Sequence, residues 1–368
     1  MWSRRGPYDK LESKVCHRAL EVQHSKINLM TQIPIALMIL AHIKWFAPFD
    51  VKAMPKPIGE VLNGTFIRLF LASVAFVTLF FLADRAAYRR GFLSALDAKL
   101  KRLDELSILI LRLSAAVFLV SVWAWYQVHG DAFYITPELK TTARFVPWFQ
   151  LALALCALFR RSLPAVGLGL LVLYALALHD YGIFHLLDYM IFLGLGYFFT
   201  VANIKRGKWR QSGFVVLYAA TGITLLWAAM EKFAYPQWTY GVLRSHPEML
   251  LGMQAETYMV LAGFLEFSLA FILLGAASVA GRIVAIGLQG VFMLAIFKFG
   301  LLDAIGHLMI IAILFVLFIR GATSAREILV LREKSIWMEI YFMTGLYFLA
   351  FVMIFIAYYG LHAVFYRA

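Results

Sequence analysis

The chain has 368 residues, of which 62% are hydrophobic and only 15% charged, and its mean hydropathy is +0.79. A soluble domain is nearer half apolar and a quarter charged, so long uncharged runs place this chain among α-helical membrane proteins, and the lack of strand-like alternation argues against an outer-membrane barrel. The net charge of +13 does not indicate nucleic acid, because the basic residues lie in short loops between apolar runs.

Residues 1–27 are too long and too charged for the start of a signal peptide. They read as a tail before a retained first helix. Eleven spans are expected, at about 28–48, 62–83, 106–128, 145–159, 163–178, 183–203, 213–232, 257–277, 283–299, 303–320 and 336–362. Several fall short of the roughly 20 residues that a hydrocarbon core needs, so tilt, burial or loop residues must extend them. The two cysteines, Cys16 and Cys156, allow neither a disulfide framework nor a cysteine-based metal motif.

Every second connection is basic. Arg85, Arg89 and Arg90 follow the second span, and Arg160 and Arg161 the fourth. Lys205, Arg206 and Lys208 follow the sixth, Arg282 the eighth, and Arg320, Arg326 and Arg332 the tenth. By the positive-inside rule the N-terminus is then cytoplasmic and the C-terminus outside, as in a multi-pass protein of a bacterial cytoplasmic membrane. There is also an internal echo. Tyr181-Gly182-Ile183 matches Phe299-Gly300-Leu301, and Trp123-Ala124 matches Trp227-Ala228. Two four-helix units in one orientation follow, 105–206 and 213–322. A helix pair at 28–84 and a last helix at 336–362 lie outside the repeat.

The second unit carries the chemistry. A charge within a membrane helix costs about 2.5–3.5 kcal/mol on insertion scales, so it should meet a partner, a cavity or a ligand. Glu266 lies midway along its span. It reads as a proton-accepting or ligand-binding carboxylate, expected to hold a proton at rest because desolvation disfavours the charged form. The bland alternative is a hydrogen-bonded lock between helices. Asp303 and His307 are spaced i,i+4 and share a helix face, as a proton relay or as a structural pair. Glu231 and Lys232 end their span on the outer side. Lys232 is expected to snorkel to the surface, with Glu231 or Glu266 as alternative partners. Tyr235, Trp238 and Tyr240 read as an interfacial aromatic belt or as the wall of a head-group pocket. In the first unit His179, Asp180, His185 and Asp188 surround a short outer turn, with His185 and Asp188 on one face at i,i+3. No spacing supports a metal site, and no P-loop, dinucleotide fingerprint or catalytic triad is present.

The Glu231-Lys232-Phe233-Ala234-Tyr235-Pro236 end, the mid-helix acid in Gly263-Phe264-Leu265-Glu266 and the Asp303-Ala304-Ile305-Gly306-His307 start together resemble the DoxX family of bacterial four-helix membrane proteins. The resemblance covers about 213–322, and extends to 105–206 only in helix spacing. It implies tandem DoxX-like bundles and, as one option, a quinone-linked redox subunit with a redox partner protein. In that role Glu266, Asp303 and His307 would exchange protons with a bound head group. Glu231, Lys232, Tyr235, His185 and Asp188 would bind it. In the first unit the Asp-Gly-His positions become His185, Asp188 and Tyr189, and the Glu–Lys pair is missing. A small-molecule transporter or binding protein, and an assembly factor with a purely structural polar seam, are the competing readings.

Overall fold

The computed structural model describes residues 43–45, 47–92, 94–204, 207–276, 279–321 and 335–366. The protein is all-α apart from one two-residue hairpin. Its helices are α1 (Gly64–Arg89), the short α2 (Ser94–Lys101), α3 (Ser107–His129), α4 (Phe145–Ala157), α5 (Leu163–Tyr181) and α6 (Met190–Val201). They continue as α7 (Gly207–Ala234), α8 (Gln237–Ser245), α9 (Ala255–Gly275), α10 (Val279–Phe299), α11 (Leu301–Arg320) and α12 (Ile336–Tyr366). Between α3 and α4, β1 (Ala132–Phe133) pairs antiparallel with β2 (Lys140–Thr141).

Local chemistry sets the ends. The Asn63 side chain accepts the Phe66 N–H at 3.0 Å and caps α1. Gly130, at φ 75°, closes α3 in the left-handed conformation that glycine adopts without strain. Gly182 and Gly300 precede the sixth and tenth expected spans with φ of 80° and 83°.

Among the described residues nine helical segments are long and apolar enough to cross a membrane, which makes the chain a multi-pass membrane protein. The expected count of eleven is not reproduced. The fourth expected span is the 13-residue α4. At about 1.5 Å per residue α4 covers only about 20 Å, well short of a bilayer core of about 30 Å. The first expected span lies almost wholly outside the described residues. Its described end, Ile43–Trp45, is a 3-10 turn.

The helices pack in a closed sequence. Helix α3 packs on α4, α4 on α5, α5 on α6, α6 on α7, α7 on α9, α9 on α10, α10 on α11, and α11 returns to α3. The two expected four-helix groups thus form two arcs of one ring. Helices α1 and α12 pack together against α9 on its outside. Their outward faces carry bare apolar side chains such as Leu71, Leu79, Met353 and Ile356, a surface suited to lipid. The Tyr347 hydroxyl links these layers, donating to Ser73 Oγ at 2.9 Å and lying 3.0 Å from Ser268 Oγ.

The end with the basic loops is tied by long cations. Arg85 of α1 lies 3.2 Å from Glu339 of α12, and Asp84 accepts the Ala280 N–H at 3.0 Å. Arg282 donates to the last carbonyls of α11, Phe318 and Ile319, where cationic donors complement the helix dipole. Arg320 pairs with Asp104 and lies over the Phe214 ring. With these charges committed at one end, the polar side chains of the opposite end are grouped around a cavity.

Candidate functional site

The last turns of α7, the middle of α9 and the first turns of α11 meet at the end opposite the basic loops. They enclose a cavity of about 60 Å³. Its walls include Asp188, Glu231, Lys232, Tyr235, Glu266 and His307, six of the eight residues to which the family resemblance gives a role. A seventh, Asp303, adjoins it through His307. Helix α7 ends here because Pro236 follows Tyr235. The Tyr235 N–H bonds to the Glu231 carbonyl at 2.7 Å, which completes the last turn and fixes Glu231 and Lys232 beside the cavity.

Lys232 does not snorkel outward. It is buried, and its ammonium pairs with Glu266 on α9. Glu266 therefore faces an ammonium from the neighbouring helix. The reason is proximity: Glu266, 2% exposed on the neighbouring helix, supplies the counter-charge that keeps the ammonium inside.

Asp303 and His307 stand on one face of α11 as their spacing requires, with His307 Nδ1 3.1 Å from Asp303 Oδ2. The contact is poorly aligned. Neither Asp303 oxygen has a well-formed hydrogen bond among the described residues, although Asp303 is fully buried. His307 lies between two rings, with centroids 4.5 Å from Trp45 and 4.8 Å from Phe292. Gly306 is what lets Trp45 approach, since a Cβ there would meet the indole at 2.2 Å.

Sequence reasoning missed the segment that covers the site. Residues 43–45 and 47–57 run across this end of the helices. Lys44 places its ammonium between Asp188 of the first arc and Glu231 of the second, with all three groups largely buried. Phe49 meets both His185 and Trp238 at 5.8 Å. The Val51 carbonyl lies 3.1 Å from His362 Nε2 of α12. The Ala53 carbonyl accepts the Tyr235 hydroxyl at 2.9 Å, and the Lys56 N–H donates to the Ala234 carbonyl at 2.8 Å. The segment is thus a strap that joins both arcs and α12. One sequence signal was available: Lys44-Trp45 precedes Ala47-Pro48 much as Glu231-Lys232 precedes Pro236. It gave no partner.

Three expectations are corrected. Tyr235 is not part of a lipid-facing belt. It is 1% exposed and stacked on Trp238 at 4.1 Å, so it is a wall of the cavity. His185 and Asp188 do not act on one face. The chain between them leaves α-helix for the 3-10 turn Leu187–Tyr189, so Asp188 turns to Lys44 while His185 Nε2 meets Glu138 Oε1 at 2.6 Å, away from the cavity. The expected grouping of two histidines and two aspartates is split. His179 is exposed, and Asp180 accepts from the Tyr134 hydroxyl at 2.5 Å.

Glu138 is the other residue that sequence did not find. It sits in the hairpin between β1 and β2 with its side chain 1% exposed. Gln150 of α4 holds that hairpin by donating to the carbonyls of Phe133 and Tyr134 at 2.8 and 2.7 Å. No local pattern marks a loop acid as buried, because its burial depends on a helix 12 residues further on. Among the described residues no group of three or more His, Cys, Asp and Glu is disposed to hold a metal ion.

Comparison of the chain with protein-family models, with curated proteins and with solved structures returns no match.

Proposed function

We propose that this cavity is a proton-exchanging site in a DoxX-like, redox-linked subunit of a bacterial cytoplasmic membrane, placed at its outer face. One observation carries the reading. Among the described residues four carboxyls (Asp188, Glu231, Glu266 and Asp303) stand in or beside the cavity with two ammoniums, Lys44 and Lys232. Fully ionised, with a neutral histidine, the group would carry an excess of two negative charges. With His307 protonated it would still carry one. Uncompensated charge in so dry a place is far dearer than a bound proton, so the group holds protons in every state. Their number changes when a partner or a substrate changes the balance. A purely structural lock has no need of an excess of acids.

The cavity size bears on the occupant. About 60 Å³ admits a few waters, whereas a cavity of about 150 Å³ is needed for a benzene ring. Water and protons suit the site as it stands. A quinone ring, which the family resemblance implies, would enter only after the walls part. Trp238 and the stacked Tyr235, with Trp45 and Phe292, would then offer it aromatic surfaces.

The test is infrared difference spectroscopy of the purified protein in liposomes across a pH step. Protonated buried carboxyls should give a C=O band that changes with pH. Glu231→Gln and Glu266→Gln should each remove part of it while the protein remains folded. A spectrum identical in wild type and both variants would sink the proposal.

A further inference from the structure

Lys232 borders a second hollow. On the side away from the buried cavity, between the start of α1, the end of α7 and the start of α9, lies a depression of about 110 Å³. It is lined by polar groups, among them Lys56, Glu60, Asn63, Gln254 and Glu256. Glu60 and Asn63 are exposed, the Glu256 side chain is 71% exposed, and Lys56 lies 3.6 Å from it, so this hollow opens to the surface. Among the described residues Lys232 alone lines both spaces. Elsewhere the cavity is roofed by the strap, through Trp45 on His307 and Phe49 on Trp238.

We infer that the polar hollow is the water entrance to the buried cavity, and that the Lys232–Glu266 ion pair is its movable partition. The inference rests on the cavity being a proton-exchanging site. The physical case is one of exchange. A lysine side chain turns about four single bonds, and its ammonium is a compact point charge. On leaving Glu266 it meets the carboxylates of Glu60 and Glu256 on the other side of the partition. One ion pair replaces another, and the swing opens a polar throat. Water and hydrated protons fit such a throat. Apolar ligands do not, since charged side chains line both of its ends.

The test uses full-length protein lacking its own thiols (Cys16→Ser, Cys156→Ser) and the small cationic reagent 2-aminoethyl methanethiosulfonate. Thr257→Cys reports the hollow and Ala228→Cys reports the cavity. With Lys232 in place, Thr257→Cys should label quickly and Ala228→Cys slowly. Lys232→Ala should speed labelling at Ala228→Cys at least tenfold and leave Thr257→Cys unchanged. Equal rates at Ala228→Cys with and without Lys232 overturn the entrance. Should Lys232→Ala fail to fold, Lys232→Ala/Glu266→Gln removes the orphaned carboxylate and carries the same comparison. The infrared band separates the two ideas: labelling as expected with no titrating carboxyl keeps the entrance and removes the proton site. A titrating band with equal labelling does the reverse.

Discussion

After Gly300 the chain forms one unbroken helix, α11. After Gly182, at the matching place in the first arc, it forms a single α-turn at Ile183–Leu186, then the 3-10 turn Leu187–Tyr189, and only then α6. Both glycines adopt the left-handed φ that a side chain would strain. The continuous helix keeps Asp303 and His307 on one face, four residues apart and in contact. The broken one rotates its polar residues away from each other, so that His185 meets the hairpin and Asp188 meets the strap. Counting from the glycines, Gly306 matches Asp188. Where one arc has no side chain and receives the Trp45 ring, the other has a carboxylate and receives the neighbouring Lys44 ammonium. One turn of strap thus reads both arcs, by shape on one side and by charge on the other.

The sharpest way to break this arrangement is to remove the shared cation. Lys44→Met leaves Asp188 and Glu231 facing each other without compensation. Removing one partner of a buried ion pair costs about 3–5 kcal/mol. The expected outcome is a large loss of thermal stability in mild detergent. Adding Glu231→Gln should restore part of it, because one uncompensated charge is then gone. A Lys44→Met protein as stable as wild type would mean that the strap does not join the arcs by charge.

The shape side is tested by Gly306→Ala. A Cβ at this position meets the Trp45 ring at 2.2 Å, and overpacking of this kind costs about 1–3 kcal/mol. Trp45 should move off His307, which would appear as a change in tryptophan fluorescence. Gly306→Ala with Trp45→Leu should recover the lost stability. If the single variant melts like wild type, the close approach of indole and helix is not what the glycine serves.

How much of this was legible beforehand follows from range. The polar positions of α7, α9 and α11 stood out because each is a charge inside an apolar run, a contrast visible within one helix. Their grouping was also within reach, since the ends and midpoints of spans fix their depth. Glu138 and the strap were not, because their burial depends on pairings such as Lys44 with Asp188 that cross 144 residues and leave no periodic trace. Lys232 was sent outward on a general tendency of lysines at helix ends. Glu266 on the neighbouring helix overrides it. The 3-10 break was hidden for a different reason. His-Leu-Leu-Asp reads as helix at i,i+3, and only the hairpin and strap on either side draw the two side chains apart. The short α4 shows the limit of hydropathy, which reports that a segment is apolar without saying whether it crosses the bilayer.

A smaller effect distinguishes the two polar histidines. His307→Gln should alter the pH dependence of the infrared carboxyl band, because it removes the neighbour of Asp303. His185→Gln should leave that band unchanged and loosen the hairpin instead, read as faster proteolysis between 130 and 144. If both variants shift the band equally, the two arcs share one titrating network, and the separation at the 3-10 turn is only geometric.

The smallest effect is expected where the second arc has the longer connection, beyond α8. There Glu248 lies in the first turn of the 3-10 helix Pro247–Leu250 and has its carboxyl held below the ordinary glutamate range. The main cause is the N–H of its own backbone, with His246 at 3.3 Å and Lys298 at 3.7 Å adding to it. A carboxyl lowered in the folded state adds stability above its unfolded value, and that stability is lost as pH falls through the folded value. The Glu248 side chain is 38% exposed, so solvent screening leaves little of it. Glu248→Gln should therefore lower the melting temperature slightly at pH 7 and not at all near pH 3, with the gap shrinking in high salt. A gap that persists at pH 3 would mean that Glu248 acts by packing, and the contrast between an exposed, screened carboxylate here and the buried, paired ones around the cavity would have to be redrawn.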